Sequence, residues 1–245
     1  PEAGALGVQV MESAVVLLSG GVGSAVAAFR SREDTAIYPV YLDYGRASAK
    51  SERLAASAVA KALGAPLQVL DLTHVAQIAA AGDGEPERRE QAPSPIPHPP
   101  GDVNGLMTTM LAVGAEFAAA VGAAVLVSGH AAAMPSPQAT LLSQERTVNP
   151  RQVFHAFSIL LEAALPAVRP IRLETPLIDL QPTEVVKLGR HLQVPFELTW
   201  SCHRDAPPCG TCPGCRVRQS AFATAGVPDP LQQEALLTVG DKVRH

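Results

Sequence analysis

The stretch that most constrains the fold is residues 13–30, where an apolar run ends abruptly at Ser19-Gly20-Gly21 and an Ala-rich segment opens at Ser24. This order predicts a buried strand, a tight glycine loop and a helix. The first turn of such a helix offers free N–H groups and a partial positive charge, which favour an anion such as phosphate. The alternative is an ordinary strand–helix turn that binds nothing. The predicted phosphate-binding residues are Ser19, Gly20, Gly21, Val22, Gly23 and Ser24.

The rest of the chain alternates apolar strands with amphipathic or Ala-rich helices. Further strands are predicted at 37–42, 66–72, 123–128 and 168–173, and helices at 48–63, 104–122, 151–165 and 183–192. This alternation predicts an α/β fold with a parallel five-stranded sheet and flanking helices. Residues 82–101 are rich in Pro and Gly, which predicts either a disordered loop or a lid over the site.

Composition excludes some classes of partner. The 245-residue chain has a net charge of −4, which gives no basic footprint, so we do not expect it to bind DNA or RNA as a polyanion. No apolar run reaches the length of about 18 residues that a membrane span needs. The first residues do not have the pattern of a secretory signal, so we expect a cytoplasmic protein.

Four cysteines lie close together near the end of the chain, at Cys202, Cys209, Cys212 and Cys215. Their spacing, with Pro and Gly between them, is typical of a tetrahedral four-thiolate zinc site. A full set of four thiolates leaves no open position, so the predicted zinc is structural. An iron–sulfur cluster is the competing interpretation, because it also takes four thiolates.

Polar residues follow three of the predicted strands. Asp43 follows the second strand and Gly129-His130 the fourth, while Ser19 follows the first. Because the carboxyl ends of parallel strands share one edge, these residues are expected to converge on one crevice. Asp43 would contact a ribose or a metal-bound phosphate there, or else cap its own loop. Arg151, at a predicted helix start, would clamp a carboxylate or phosphate, or else remain a solvated surface residue.

Three further motifs carry a resemblance to a known family. They are PLIDL at 176–180, VPFELTWSC at 194–202 and PCGTCPGC at 208–215. With the glycine loop, they resemble the 7-cyano-7-deazaguanine synthase family of queuosine biosynthesis, within the PP-loop ATP pyrophosphatases. The resemblance extends from about residue 13 to residue 231.

The resemblance implies a fold, a division into domains and a set of ligands. The fold is HUP-type (adenine nucleotide alpha hydrolase-like). Residues 13–198 would form the nucleotide-binding α/β domain, and residues 199–231 a zinc-binding module with a C-terminal helix. The ligands would be structural Zn²⁺, ATP with Mg²⁺ and a deazaguanine-like acid, in a homodimer. The catalytic residues would be Ser19, Ser24, Asp43 and Arg151, and Gly129 and Asp43 would join the loop in binding the nucleotide.

The implied reaction converts a carboxylate to a nitrile. ATP adenylates the carboxylate of 7-carboxy-7-deazaguanine and pyrophosphate leaves. Ammonia then displaces AMP to give an amide, and a second activation dehydrates the amide to 7-cyano-7-deazaguanine. The glycine loop would hold the phosphates as a preorganised set of donors.

The chain departs from the family pattern at several charged positions. Gly23 replaces the Asp of S-G-G-x-D-S, Val103 an Arg and Pro182 a Lys, while Ala131 opens a run that replaces acidic residues. Arg151 keeps its place, but the two carboxylates near it are absent. These departures leave two alternatives open. In the first alternative, the chain is a repurposed or inactive paralogue that binds a nucleotide, a deazapurine or a partner subunit. In the second, it is a related ligase that joins a deazapurine to another acceptor.

Overall fold

The computed structural model describes residues 12–74, 106–132, 150–165 and 170–232. The predicted loop at 82–101 and Val103 lie outside these ranges. The strands are β1 (Ser13–Leu17), β2 (Ala36–Asp43), β3 (Gln68–Asp71), β4 (Val125–Ser128) and β5 (Arg172–Glu174). The helices are α1 (Val22–Ser31), α2 (Ala49–Ala62), α3 (Leu106–Val121), α4 (Pro150–Ala164), α5 (Pro182–His191) and α6 (Pro213–Ala225), with a 3₁₀ turn at Phe196–Leu198.

The five strands form one parallel sheet in the order β3-β2-β1-β4-β5. This confirms the predicted α/β class. At the carboxyl end of the central strand, Leu17 lies opposite Val40 of β2 and Ser128 of β4. The register therefore brings the loops after β1 and β4 together at one edge, where parallel sheets bind their ligands.

The central strand is buried on both faces, as parallel strands usually are. Val16 belongs to a buried cluster with α1, α2, α5 and α6, and Val15 to a second cluster with α3 and α4. The predicted apolar face of α4 is confirmed, because Phe154, Phe157 and Leu161 are all buried in the second cluster.

The C-terminal helix shares the main core. Ala221 and Phe222 of α6 are buried in the same cluster as Val26 of α1 and Val186 of α5. The helix that follows the cysteines is therefore packed against the sheet through α5, which contacts α1 and α6 in the same apolar cluster. None of the helices in the described part of the chain has the length and hydropathy that crossing a bilayer requires.

Candidate functional site

The glycine loop joins β1 to α1 as the sequence predicts. Gly21 is the N-cap of α1, with φ −75° and ψ 164°. Gly20 has φ +79°, and a Cβ there would lie 2.6 Å from the carbonyl oxygen of Glu52 and 2.8 Å from the amide nitrogen of Ala56. Gly20 is therefore required by both its backbone conformation and the close approach of α2.

Two serine hydroxyls stabilise the loop from within. The Ser24 hydroxyl donates to the Gly21 carbonyl oxygen at 3.1 Å, and its oxygen lies 3.1 Å from the Ser19 hydroxyl oxygen. Since the Ser24 hydrogen is directed at Gly21, Ser19 is the donor in the second contact. The first-turn amides of α1 have no intrahelical acceptors. The loop is thus a set of oriented donors, suited to a phosphate group.

A cavity of about 300 Å³ opens over this loop at the carboxyl edge of the sheet. Of the predicted site residues, Ser19, Gly21, Gly23, Ser24 and Gly129 line it. Gly20 and Val22 do not, because the first faces α2 and the second lines a neighbouring groove. The structure therefore brings together the loop and the end of β4.

Asp43 and Arg151 are not among the residues that line this cavity. The Asp43 carboxylate accepts a hydrogen bond from the Gly45 amide at 3.1 Å, which is the loop-capping arrangement. Arg151 forms an ion pair with Asp179, and both side chains are largely exposed. Their predicted catalytic roles therefore stay predictions.

The cavity wall also carries a charged group that the sequence did not single out. Arg46 lines the cavity, donates to the Tyr44 hydroxyl oxygen at 3.1 Å and lies 3.9 Å from Glu52. Glu52 accepts hydrogen bonds from Ser48 at 2.7 Å and Tyr41 at 3.4 Å. Burial, followed by the charge of Glu52, raises the pKa of Tyr41, so the phenol stays protonated. The position of Arg46 just after β2 is the signal that could have identified it.

His130 also lines the cavity, at the end of β4. Its Nδ1 lies 2.7 Å from the hydroxyl oxygen of buried Ser128, and its ring packs edge-on against Phe154. A buried hydroxyl hydrogen needs an acceptor, so we assign Ser128 as the donor to Nδ1 and place the ring hydrogen on Nε2. Burial lowers the pKa of His130, so the ring is neutral near pH 7. A neutral ring in this tautomer offers one N–H donor to a ligand.

The four cysteine sulfurs converge at one point. They all lie within 4.8 Å of one another, and the sulfurs of Cys202 and Cys212 are 4.0 Å apart. Four thiolates around one zinc ion, with Zn–S bonds of about 2.3 Å, are separated by about 3.8 Å. The cluster therefore has nearly the spacing that a single tetrahedral ion requires.

Backbone amides favour the ionised form of two of these thiols. Hydrogen bonds from the Thr211 and Cys212 amides lower the pKa of Cys209 to about 5. For Cys212, burial is outweighed by amide hydrogen bonds from His203 and Cys215, and its pKa is lowered. Burial instead raises the pKa of Cys202, and that of Cys215 to about 12. A bound cation would hold these last two as thiolates.

The cysteine segment is attached directly to the glycine loop. The Trp200 amide donates to the Gly20 carbonyl oxygen at 2.8 Å. The Ser51 amide of α2 donates to Asp205 at 3.0 Å, and the Ala206 amide donates to the Ser51 hydroxyl oxygen at 3.0 Å. Trp200, Ser201 and His203 consequently form one wall of the cavity. The cysteine segment thus supports the cavity wall, although none of the four cysteines lines the cavity.

The sheet order, with a strand–glycine loop–helix at its centre, matches the HUP-type fold that the sequence resemblance to the PP-loop ATP pyrophosphatases implies. A family model described as "Queuosine biosynthesis protein QueC" matches residues 13–226. The chain therefore belongs to this family. The matched region includes both the glycine loop and all four cysteines.

Two curated relatives are named 7-cyano-7-deazaguanine synthase. The protein from Methanothrix thermoacetophila is 31% identical over 233 residues, which cover 91% of this chain and 100% of the relative. The protein from Thermosynechococcus vestitus is 32% identical over 236 residues, which cover 90% and 95% of the two chains. Among solved structures, NMN synthetase from Francisella tularensis superposes with a TM-score of 0.49 at 12% identity, over 90% of this chain and 79% of that one.

Proposed function

We propose that this chain is an ATP-dependent synthase that converts 7-carboxy-7-deazaguanine and ammonia to 7-cyano-7-deazaguanine. The observation that carries the proposal is the family match over residues 13–226, within which a phosphate-type loop and a four-cysteine cluster flank one cavity. The two relatives that bear the synthase name are matched over nearly their whole length. The alternatives of an inactive paralogue and of a ligase with another acceptor become outcomes of the test.

Different residues of the cavity would bind the phosphate and activate the carboxyl group. The first-turn amides of α1 would hold a phosphate of the nucleotide, and the hydroxyls of Ser19 and Ser24 would join them by turning from their present acceptors. The carboxylate of the acid attacks the α-phosphorus of ATP and pyrophosphate leaves. Nε2–H of His130 would donate to an oxygen of the adenylated carboxyl group, which makes its carbon more electrophilic. Ammonia then forms the C–N bond, and AMP leaves with the electron pair of the C–O bond.

Asp43 and Arg151 belong to this proposal as residues outside the cavity wall. Asp43 would reach a ribose, and Arg151 a carboxylate or phosphate, only by exchanging present partners. Those partners are the Gly45 amide for Asp43 and the Asp179 carboxylate for Arg151. We therefore expect their substitution to cost less activity than changes in the loop.

For the metal centre we propose one structural zinc ion, held by Cys202, Cys209, Cys212 and Cys215. Sulfurs within 4.8 Å of one another suit a single ion, whereas an iron–sulfur cluster separates its cysteine sulfurs more widely because several irons lie between them. Elemental analysis is expected to give one zinc for each chain. Stoichiometric iron with a visible charge-transfer spectrum would identify the cluster instead.

We also propose the division into a nucleotide-binding domain at 13–198 and a cysteine module at 199–231, and a cytoplasmic homodimer. The motif positions and the family resemblance support these points. Light scattering on the purified chain measures the oligomeric state directly. A monomeric mass at micromolar concentration contradicts the dimer.

The test of the proposed function is incubation with 7-carboxy-7-deazaguanine, ATP, Mg²⁺ and ammonia, followed by mass spectrometry of the products. We expect the nitrile. AMP with no nitrile indicates another acceptor or a stalled intermediate, and no AMP indicates the inactive paralogue.

Two variants connect that activity to the loop. Gly21→Ala places a methyl group in the cavity wall. Alanine readily adopts the φ of −75° at this position, and the atoms nearest to the new Cβ would lie 3.5 and 3.6 Å away. Ser24→Ala removes a hydroxyl from the same wall, and we expect each to lower the rate by about tenfold to a hundredfold. Ser57→Ala, at an exposed position of α2, is the matched control and should leave the rate unchanged. Equal rates in all three would remove the loop from the mechanism.

A further inference from the structure

The first turn of α2 is not capped by the residue that precedes it. Ser48 occupies the N-cap position, but its φ of −99° and ψ of 2° lie outside the extended conformation from which an N-cap hydroxyl usually accepts a helix amide. Within the described part of the chain, no helix amide donates to the Ser48 side chain. Its hydroxyl instead donates to the Glu52 carboxylate at 2.7 Å, and Glu52 lines the cavity. Ser48 thus orients a residue of the cavity wall rather than capping its own helix.

The cap of α2 comes from the cysteine segment, 154 residues further along the chain. The Asp205 carboxylate accepts a hydrogen bond at 3.0 Å from the amide of Ser51, the third residue of the helix. A carboxylate at this point also faces the positive end of the helix dipole. The Ala206 amide donates to the Ser51 hydroxyl oxygen at 3.0 Å, so two hydrogen bonds join the segments. We call these two contacts the capping junction; because Ser51 is only 9% exposed, water has little access to replace either partner.

The part of α2 that follows the capping junction touches the glycine loop. A Cβ on Gly20 would lie 2.6 Å from the Glu52 carbonyl oxygen and 2.8 Å from the Ala56 amide nitrogen. The two backbones are therefore in direct contact, and a shift at the start of α2 would displace the atoms that pack against Gly20. On its other side, the Gly20 carbonyl oxygen accepts the Trp200 amide at 2.8 Å. Gly20 is thus enclosed between α2 and the cysteine segment, which are themselves joined at the capping junction.

We propose that Asp205 is a positioning residue for the nucleotide loop, because its cap holds the start of α2 against Gly20. The inference rests on the proposed nucleotide site at the loop and concerns how that site is kept in place. Without the cap, the Ser51 amide has no carboxylate acceptor and the first turn of α2 frays. The loop then loses one of the two surfaces that enclose Gly20.

The role is indirect, because Asp205 does not line the cavity. When only a fraction of the molecules has the turn in place, the observed Kd rises in inverse proportion to that fraction. Bound nucleotide selects the ordered turn, so the reaction itself should proceed from an unchanged complex. The loss of Asp205 is therefore expected to raise Kd and KM for ATP while leaving kcat at saturation unchanged.

Titration calorimetry of the full chain with ATP and Mg²⁺ tests the proposal. We expect Asp205→Ala to weaken ATP binding by about threefold to tenfold, in the range that the loss of an N-cap acceptor allows. Asp205→Asn keeps an acceptor for the Ser51 amide and should stay within about twofold of the wild type. If Asp205→Ala does not fold, Ser51→Ala removes the other hydrogen bond of the capping junction and should weaken ATP binding by about twofold to fivefold.

Glu184→Ala is the matched control. Glu184 is exposed and accepts a hydrogen bond from the Gln181 amide at 2.7 Å, so its removal takes a carboxylate cap from the start of α5. It does not line the cavity. We expect this variant to lower Tm while leaving ATP affinity unchanged, which separates positioning of the loop from a general loss of helix stability.

Hydrogen exchange followed by mass spectrometry shows where the change occurs. Free Asp205→Ala should exchange faster than the wild type across residues 19–24 and 49–56, and ATP should restore the slower exchange. Glu184→Ala should not show this pattern. Equal ATP affinity in Asp205→Ala and the wild type would overturn the inference and leave the nucleotide site standing. Absence of ATP binding by the wild type would reject the site and the inference together.

Discussion

A buried ion pair fixes the position of the cysteine segment, and its removal has a calculable cost. Arg218 of α6 and Asp229 are each 4% exposed in their side chains, and they are joined by contacts of 2.9 to 3.0 Å. The same guanidinium donates to Thr199 at 2.7 and 3.3 Å and to the Phe196 carbonyl oxygen at 3.1 Å. Arg218 therefore connects α6 to the segment that enters the cavity wall at Trp200.

Asp229→Ala leaves the Arg218 charge buried with only neutral acceptors. Breaking a buried pair in this way costs about 3–5 kcal/mol. For a chain of this size, each kcal/mol lowers Tm by about 2–4 °C, so we expect a decrease of about 6–20 °C. Differential scanning calorimetry at pH 7 measures this decrease directly.

Two variants control for general effects of charge removal. Glu33→Ala removes one partner of the pair Arg30–Glu33, whose side chains are 53% and 45% exposed, and should cost less than about 1 kcal/mol. The double variant Arg218→Met with Asp229→Leu removes both charges and keeps apolar volume. We expect it to be more stable than Asp229→Ala, since no buried charge is left unpaired. A Tm for Asp229→Ala equal to that of Glu33→Ala would refute the structural role of the pair.

Three further predictions follow from the site. Removing the proposed zinc ion with a chelator should lower both Tm and nucleotide affinity, because Trp200 and its neighbours join the cysteines to the cavity wall. An unchanged thermal unfolding curve would contradict this. Since burial depresses the pKa of His130 below its unfolded value of about 6.5, its stabilising contribution is present above that pH and lost as the pH falls through the folded pKa. Unfolding between pH 7 and pH 5 should therefore show a steeper loss of stability in the wild type than in His130→Gln. Gly20→Ala should lower the free energy of unfolding by more than about 2 kcal/mol, because of the positive φ and the 2.6 Å approach of the new Cβ to the Glu52 carbonyl oxygen. Gly21→Ala should lower it less, and equal losses in urea titrations would contradict this.

Local patterns in the sequence were enough to predict the sheet and the centre of the site. The apolar run before Ser19 and the glycines after it determine a strand–loop–helix unit, because few other structures satisfy both the burial and the turn. The cysteine spacing likewise predicts a convergent cluster, since all four residues lie within one short segment. In the described part of the chain, helix and strand boundaries are close to those predicted. The exception is β5, which there comprises Arg172–Glu174, while residues 168 and 169 of the predicted strand lie outside the described ranges.

Contacts between distant segments could not be predicted in this way. The sequence predicts that Asp43 either faces a ligand or caps its own loop. Its carboxylate accepts a hydrogen bond from the Gly45 amide, and the position at a strand end does not by itself distinguish the two roles. Gly23, Ala131 and Pro182 line one groove, and this convergence depends on how α1, β4 and α5 pack. The close approach of Gly129 to Gly23 depends on the same packing, and the presence of a glycine at each position does not predict that the two are in contact.

The most direct test of the proposed activity is the number of AMP molecules released for each nitrile formed, with ¹⁵N-labelled ammonia as the nitrogen source. Two activations of the carboxyl carbon predict two AMP for each nitrile, with the label in the nitrile nitrogen. Absence of AMP above the level found without the acid, or a product without the label, would contradict the assignment of this chain as a 7-cyano-7-deazaguanine synthase.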